Sequence, residues 1–130
     1  MDDDERRTQG MAVRLQVLGD AHVDRATGGA TPFTADFHDF ITCYAWGDVW
    51  SRPGLDRRTR SAITIALLAA LHHDAELAMH VRAGLSNGLT QEEIAEVLLQ
   101  TGIYAGVPAA NSAFGIAAQA LTDASGGSIS

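Results

Sequence analysis

Glu76 and His80 are the pair of side chains in this sequence best suited to acid–base chemistry. They lie four residues apart in a segment whose composition predicts a helix, so they project from the same helix face. A carboxylate beside an imidazole stabilises the charged ring and orients it, which suits proton transfer near neutral pH. The alternative is an exposed polar pair without a chemical role. Glu76 and His80 are therefore candidate catalytic residues.

Arginines are concentrated in one short segment. Arg52, Arg57, Arg58 and Arg60 lie within nine positions, although the whole sequence has a net charge of −7. The planar fork of arginine suits bidentate binding of a carboxylate, so this segment is a candidate binding site for an acidic small molecule. An equally good interpretation is that these arginines neutralise the acidic surface or face a neighbouring subunit.

Two tryptophans precede this arginine segment. Together with Tyr44, they could line a pocket near the turn at residues 51–54, although aromatic residues at helical spacing more often belong to a core. The two tryptophans are Trp46 and Trp50. His22 lies beside Asp20 and Asp24, where its surroundings alone indicate a surface histidine.

Metal and cofactor chemistry are not expected. Cys43 is the one cysteine, which excludes an internal disulfide and a cysteine-rich zinc site. Glu76 and His80 alone do not form a metal site, and the adjacent His72 and His73 face different directions on a helix. All nine basic residues are arginine. Without a lysine, the sequence excludes a Schiff-base mechanism on a side-chain amine.

The acidic balance argues against two classes of partner. Nucleic acids and anionic membranes both require a basic surface, and this sequence has 16 acidic residues against nine basic ones. The longest nearly apolar run, residues 62–71, is about half the length that spans a bilayer. No secretory signal is visible, so we expect a cytoplasmic protein.

The elements that position these residues are predicted to be helices throughout, because alanine is abundant and β-branched runs are rare. We expect one all-α domain over residues 1–130, with about six helices and flexible ends at 1–8 and 124–130. Apolar spacing gives the first helix an inner face of Met11, Leu15 and Leu18, ending at Gly19. The other predicted features are a helix capped by Thr31 before Pro32 and ending near Gly47, a helix from Asp56 to Leu71 buried on several sides, a helix over 75–86 ending at Asn87-Gly88, a helix opened by a Thr90–Glu93 capping box, and a helix over 109–122.

Five blocks of the sequence resemble the 4-carboxymuconolactone decarboxylase family. The resemblance covers residues 7–122, and the first three blocks are the ones specific to the decarboxylases. The blocks are VLGDAHVD (17–24), YAWGDVW (44–50), RPGLDRRTR (52–60), ELAMH (76–80) and YAGVPAAN (104–111).

The resemblance implies an alkylhydroperoxidase D-like helical fold that assembles as a homotrimer or homohexamer. It also implies cofactor-free decarboxylation of a lactone dicarboxylate in the β-ketoadipate pathway. The peroxidases of the same superfamily use a Cys-x-x-Cys pair before a histidine. If that histidine corresponds to His80, the two thiol positions hold His73 and Glu76, so disulfide-cycling chemistry is excluded.

For such a substrate, His80 oriented by Glu76 suits proton delivery or donation to the developing oxyanion, and the arginines suit holding the dianion in place. The residues expected to bind substrate are Arg57, Arg58, Arg52, His22, Trp46 and Trp50. Two alternatives remain open. The protein could be a decarboxylase or isomerase of the same fold that acts on a related lactone or carboxylate, or a non-catalytic helical binding module.

Overall fold

The computed structural model describes residues 1–19 and 31–124, and these are helical with no strand among them. The chain divides into two compact units, residues 1–56 and 57–130. Within the described residues no helix is long and apolar enough to cross a membrane.

The first unit begins with helix α1, Asp3–Leu18. Asp2 caps it, because an Asp2 carboxylate oxygen accepts a hydrogen bond from the Glu5 backbone N–H at 2.8 Å. The acidic start of the sequence thus forms a regular first turn, where negative side chains complement the helix dipole. The predicted stop is confirmed: Gly19 follows the helix with a positive φ of 92°.

The buried face of α1 differs from the predicted one. Its buried residues are Gly10, Val13, Arg14 and Val17, whereas Met11, Leu15 and Leu18 are only half-buried on its flanks. The prediction followed the largest apolar side chains. In the structure the helix instead packs through the face that contains Gly10, where the two backbones come closest, and Arg14, one turn further along.

Helix α2, Ala35–Phe40, continues without a break into a π-helical segment, Ile41–Trp50. The prediction that Thr31 caps this helix is wrong, because residues 31–34 form a turn in which the Thr34 N–H donates to the Thr31 carbonyl at 3.0 Å. Pro32 takes the second position of that turn, which its fixed φ favours. The predicted end near Gly47 is also too early, since the π-helical segment extends to Trp50.

The described part of the second unit, residues 57–124, contains four helices: α3, Arg57–Ala70; α4, Asp74–Ser86; α5, Gln91–Ala105; and α6, Val107–Ala124. Its core is built from aliphatic and alanine side chains of all four. The largest fully buried members are Ile65, Leu77, Val81, Ile94 and Leu98. The small alanines of α6 at positions 113, 117 and 120 let this helix pack close to its neighbours.

The connections of the second unit largely follow the predictions. α3 begins at Arg57, directly after Asp56, and Gly88 follows α4 with a φ of 106°. The capping box is confirmed: Thr90 accepts from the Glu93 N–H at 3.1 Å, and Glu93 accepts from the Thr90 N–H at 2.9 Å. α6 begins two residues earlier than predicted. Pro108 lies in its first turn, where a helix needs no N–H donor.

The prediction that α3 is buried on several sides is wrong for the single chain, in which only one face of this helix is buried. Ser61, Ile65 and Ala69 form its buried face, while Leu67 is 55% exposed and Leu71 is 62% exposed. Because α4, α5 and α6 pack against this buried face, the apolar residues of α3 outside it remain on the surface.

Candidate active site

His80 lies on α4 and is buried, with 7% of its surface exposed. The other buried residues of this helix are Leu77, Val81, Ala83 and Gly84, so His80 belongs to its buried face. Glu76 lies one turn earlier on the same helix and is exposed. An imidazole shielded from water can make stronger directed hydrogen bonds to a bound molecule than an exposed one.

The two arginines at the start of α3 differ in their surroundings. Arg58 forms an ion pair with Glu93, through the carboxylate oxygen that does not take part in the capping box. This contact ties the start of α3 to the start of α5, and it favours a structural role for Arg58. Arg57 is half-buried, and no ion pair to it occurs among the described residues.

Arg52 belongs to the first unit, in the turn that follows the π-helical segment. Its side chain is exposed, and its backbone N–H donates to the Val49 carbonyl at 3.1 Å. The turn therefore holds the Arg52 backbone while its side chain faces outward.

The two tryptophans are in contact with each other in the first unit. The ring centroids of Trp46 and Trp50 are 5.2 Å apart, with the planes tilted by 31°. Trp46 is buried against Val13 and Val17 of α1, and Trp50 is half-buried at the edge of this cluster. Most of the Trp46 surface is thus buried in the core, in agreement with the alternative that aromatic residues at helical spacing belong to a core.

The structure divides the predicted site residues between the two units. Arg52, Trp46 and Trp50 belong to the first unit, and Arg57, Arg58, Glu76 and His80 to the second. His22 lies outside the described residues. Within the second unit, α3 and α4 pack together, and Ser61 of α3 accepts a hydrogen bond from the Asn87 side chain at the end of α4 at 3.0 Å.

Each unit has a cavity of its own. In the second unit a groove of about 440 Å³ runs between α3 and α5, and its walls are mostly apolar. In the first unit a smaller cavity of about 260 Å³ lies between α1 and the α2–π helix, where charged side chains from both elements meet.

Sequence reasoning missed the charged residues of the smaller cavity, of which Arg14 is the most buried. The fold leaves it 6% exposed, and its Nη1 reaches the Thr42 hydroxyl at 3.5 Å. Burial lowers the pKa of its guanidinium. The signal was present in the sequence, since Arg14 follows Gly10 by one helical turn and lies between Val13 and Val17.

Comparison with known proteins gives matches over most of the chain. The model of the carboxymuconolactone decarboxylase family matches residues 35–119. A 4-carboxymuconolactone decarboxylase of Acinetobacter baylyi is 48% identical over 123 residues, which cover 95% of this chain and 92% of that protein. A nitrosuccinic acid decarboxylase of Metarhizium robertsii is 40% identical over 115 residues, which cover 88% of this chain and 80% of that protein.

Proposed function

Since the chain belongs to the carboxymuconolactone decarboxylase family, we propose that it converts 4-carboxymuconolactone to 3-oxoadipate enol-lactone without a cofactor. The observation that carries this proposal is the 48% identity to the Acinetobacter decarboxylase, which extends over 95% of the chain. That match spans the stretch of chain that contains the arginine segment and the Glu76–His80 pair, and the relative's name supports the reaction as well as the fold.

The substrate's own chemistry explains why no cofactor is required. When the bond between the ring and its carboxylate breaks, the electron pair passes through the ring alkene into the lactone carbonyl. The resulting dienolate is a stabilised carbanion equivalent, and carbon dioxide leaves as the other product. The protein must hold the dianion, stabilise the oxyanion that develops, and deliver one proton to carbon.

We assign the proton delivery to His80. Its burial on α4 supports this role, because a proton donor shielded from water can direct its hydrogen bond to the substrate without competition from solvent. Glu76, one turn away, is proposed to orient the ring when substrate is bound. Since Glu76 is exposed in the structure, this contact is expected to form on binding.

We assign the substrate's side-chain carboxylate to Arg57. Arg57 is half-buried at the start of α3, whereas Arg58 is engaged by Glu93. An arginine that has no acidic partner among the described residues can offer its full fork to a ligand. Arg52, His22, Trp46 and Trp50 remain proposed substrate-binding residues.

The leaving carboxylate is expected to lie in less polar surroundings than the side-chain carboxylate. An ion pair to the leaving group would stabilise the ground state and oppose its loss.

A second candidate is decarboxylation of a different small carboxylate. The match to the nitrosuccinic acid decarboxylase favours it, because that relative is 40% identical to this chain and is named for a different substrate. A non-catalytic helical module is the third candidate. The burial of His80 is evidence against it, whereas the exposed side chains of Glu76, Arg52 and Arg58 are what a binding module predicts.

We also propose that the protein is a homotrimer or homohexamer. The exposed apolar side of α3 supports association, because exposed apolar patches of this kind mark interaction surfaces in water-soluble chains. A cytoplasmic location remains a prediction from the sequence.

One assay distinguishes these candidates. The purified protein is incubated with 4-carboxymuconolactone and, separately, with nitrosuccinic acid, while substrate loss and carbon dioxide release are measured. We expect rapid turnover of the lactone. Turnover of nitrosuccinic acid alone would favour the second candidate, and release of carbon dioxide from neither would contradict both enzymatic proposals.

A further inference from the structure

Arg14 is a buried cation for which the described residues provide no acidic partner. It is 6% exposed, its Nε makes no hydrogen bond within the described part of the chain, and its Nη1 has the long contact of 3.5 Å to Thr42. Removing a guanidinium from water costs several kcal/mol unless an opposite charge compensates it. Burial accordingly lowers the Arg14 pKa. Buried ionisable groups with a shifted pKa occur preferentially at functional sites.

The position of Arg14 follows from the close packing of α1 on the π-helical segment. A Cβ at Gly10 would stand 1.9 Å from the Thr42 carbonyl oxygen, so the two backbones nearly touch at this point. Arg14 is one turn further along the same face of α1. Its guanidinium is therefore fixed beside Thr42, in the wall of the 260 Å³ cavity.

The acid that lines this cavity is already engaged by another arginine. Asp39 forms a bidentate pair with Arg7, in which Nε binds Oδ1 and Nη2 binds Oδ2, the latter at 3.2 Å. The Arg7 guanidinium holds the pKa of Asp39 below its usual value. The Arg7–Asp39 pair is thus nearly neutral as a unit, and the residues lining the cavity leave the charge of Arg14 uncompensated.

The rest of the lining suits a small acid. The Thr42 hydroxyl and the His38 imidazole supply hydrogen-bonding groups, and Met11 and Ala35 supply apolar walls. The cavity is slightly smaller than the range of about 300–1,000 Å³ typical of sites for drug-sized ligands. A carboxylate on a short carbon chain matches both its size and its mixed lining.

We propose that this cavity binds the carboxylate of a small organic acid, with Arg14 as its ion-pair partner and Thr42 as a hydrogen-bonding group. All the residues involved lie in the first unit, so the proposal does not rest on the proposed decarboxylation. The cavity would bind such an acid whether or not the protein acts on 4-carboxymuconolactone.

The test is a titration of the whole protein with sodium adipate, at constant ionic strength set with sodium chloride. 1,6-Hexanediol, which has the same carbon chain without carboxylates, is the control ligand. The Arg14 Nε–H signal in the nitrogen–proton NMR spectrum reports the site directly. We expect a saturable shift of this signal and a saturable rise in Tm with adipate, and neither with hexanediol.

Variants assign the response to the residue. Arg14→Met keeps most of the length of the side chain but removes the charge, and we expect its dissociation constant for adipate to rise roughly tenfold or more. Without adipate its Tm should equal or exceed that of the wild type, because an uncompensated buried charge has been removed. Arg82→Met, at an exposed arginine of α4, should leave adipate binding unchanged.

Three results would overturn the proposal. They are no saturable response of the wild type to adipate, an equal response in Arg14→Met, and an Arg14 signal that moves on protein dilution but not with adipate. The third would mean that an acidic side chain of a second copy occupies the cavity. If Arg14→Met does not fold, Arg14→Lys replaces it, since it keeps the charge but loses the fork and should bind adipate more weakly.

Discussion

The α-carbon of Gly10 lies against the backbone of Thr42, so close that a Cβ at Gly10 would stand 1.9 Å from the Thr42 carbonyl oxygen. Gly47 of the π-helical segment is restricted in the same way by α1, because a Cβ at Gly47 would be 2.3 Å from the Arg6 carbonyl oxygen. Two glycines, one on each element, thus allow α1 to pack directly on the π-helical segment. This contact brings Val13 and Val17 onto Trp46 and fixes Arg14 beside Thr42.

Gly10→Ala is therefore expected to destabilise the protein by about 2 kcal/mol or more, because the backbones must separate to admit one methyl group. The measurement is thermal or urea unfolding followed by tryptophan fluorescence, since Trp46 and Trp50 lie in the affected cluster.

Gly115→Ala is the matched control for this prediction. Gly115 lies inside α6, and a methyl group added at its α-carbon would have nothing within 4 Å. Alanine there should stabilise the helix by about 0.5–1 kcal/mol. An unchanged stability of Gly10→Ala, with the expected gain in Gly115→Ala, would contradict the close packing of α1.

His80→Ala should lower kcat on 4-carboxymuconolactone by roughly two to four orders of magnitude if His80 delivers the proton. The fold should survive, because the change leaves the surrounding apolar residues of α4 in place. Steady-state kinetics and circular dichroism are the measurements.

His72→Asn is the matched histidine control. His72 is exposed between α3 and α4 with a φ of 59°, a backbone conformation that asparagine tolerates. We expect wild-type kcat. Near wild-type activity in a folded His80→Ala would remove His80 from the mechanism.

Arg57→Ala and Arg58→Ala should produce different defects. Arg57 is the proposed carboxylate anchor, so its loss should raise KM by roughly tenfold or more while kcat changes less. Arg58 pairs with Glu93 on a surface where both side chains are partly exposed, so its loss should cost at most about 1 kcal/mol of stability.

The two variants are compared through their KM and Tm values. A KM unchanged in Arg57→Ala would contradict its role as anchor. A large rise in KM confined to Arg58→Ala would mean that Arg58 leaves Glu93 to bind substrate.

Dialysis against EDTA should leave the decarboxylation rate unchanged, because the dienolate delocalises the electron pair without a Lewis acid. The rate is measured before and after chelation, and again after adding back Mg²⁺, Mn²⁺ or Zn²⁺. Loss of activity that one of these ions restores would overturn the cofactor-free proposal.

The sequence predicts the helices of the second unit well and the first unit less well. Local signals, such as the Thr90–Glu93 capping box and the Asn87-Gly88 stop, act over a few residues and are present unchanged in the structure. The π-helical form of residues 41–50 has no comparable local signal. It depends on the packing of this segment against α1, which periodicity in one segment does not reveal.

The candidate site, like the fold, could be predicted from the sequence only in part. Residue type and spacing indicated the Glu76–His80 pair and the arginine segment as candidates, but they did not indicate that Arg58 is bound to Glu93 while Arg57 is not. Arg14 was missed because the predicted inner face of α1 followed the largest apolar side chains of that helix. Arg14 is buried because Gly10, four residues earlier, lets α1 approach the π-helical segment closely. How closely a glycine lets two helices pack depends on the element on the other side, which the sequence of one helix does not show.

The exposed apolar side of α3 leads to the final prediction, which concerns assembly. Ile63 and Leu67 line the 440 Å³ groove between α3 and α5, and Leu67 is 55% exposed in the single chain. If a second copy covers this side, Leu67→Glu places a charge in the interface. The oligomer should then dissociate, while the stability of the separate chain changes by less than about 0.5 kcal/mol. Light scattering gives the mass at several concentrations. Leu55→Glu, at an exposed leucine outside the groove lining, should keep the wild-type mass. A monomeric wild type, or a Leu67→Glu variant of full oligomer mass, would show that this side of α3 does not join the copies.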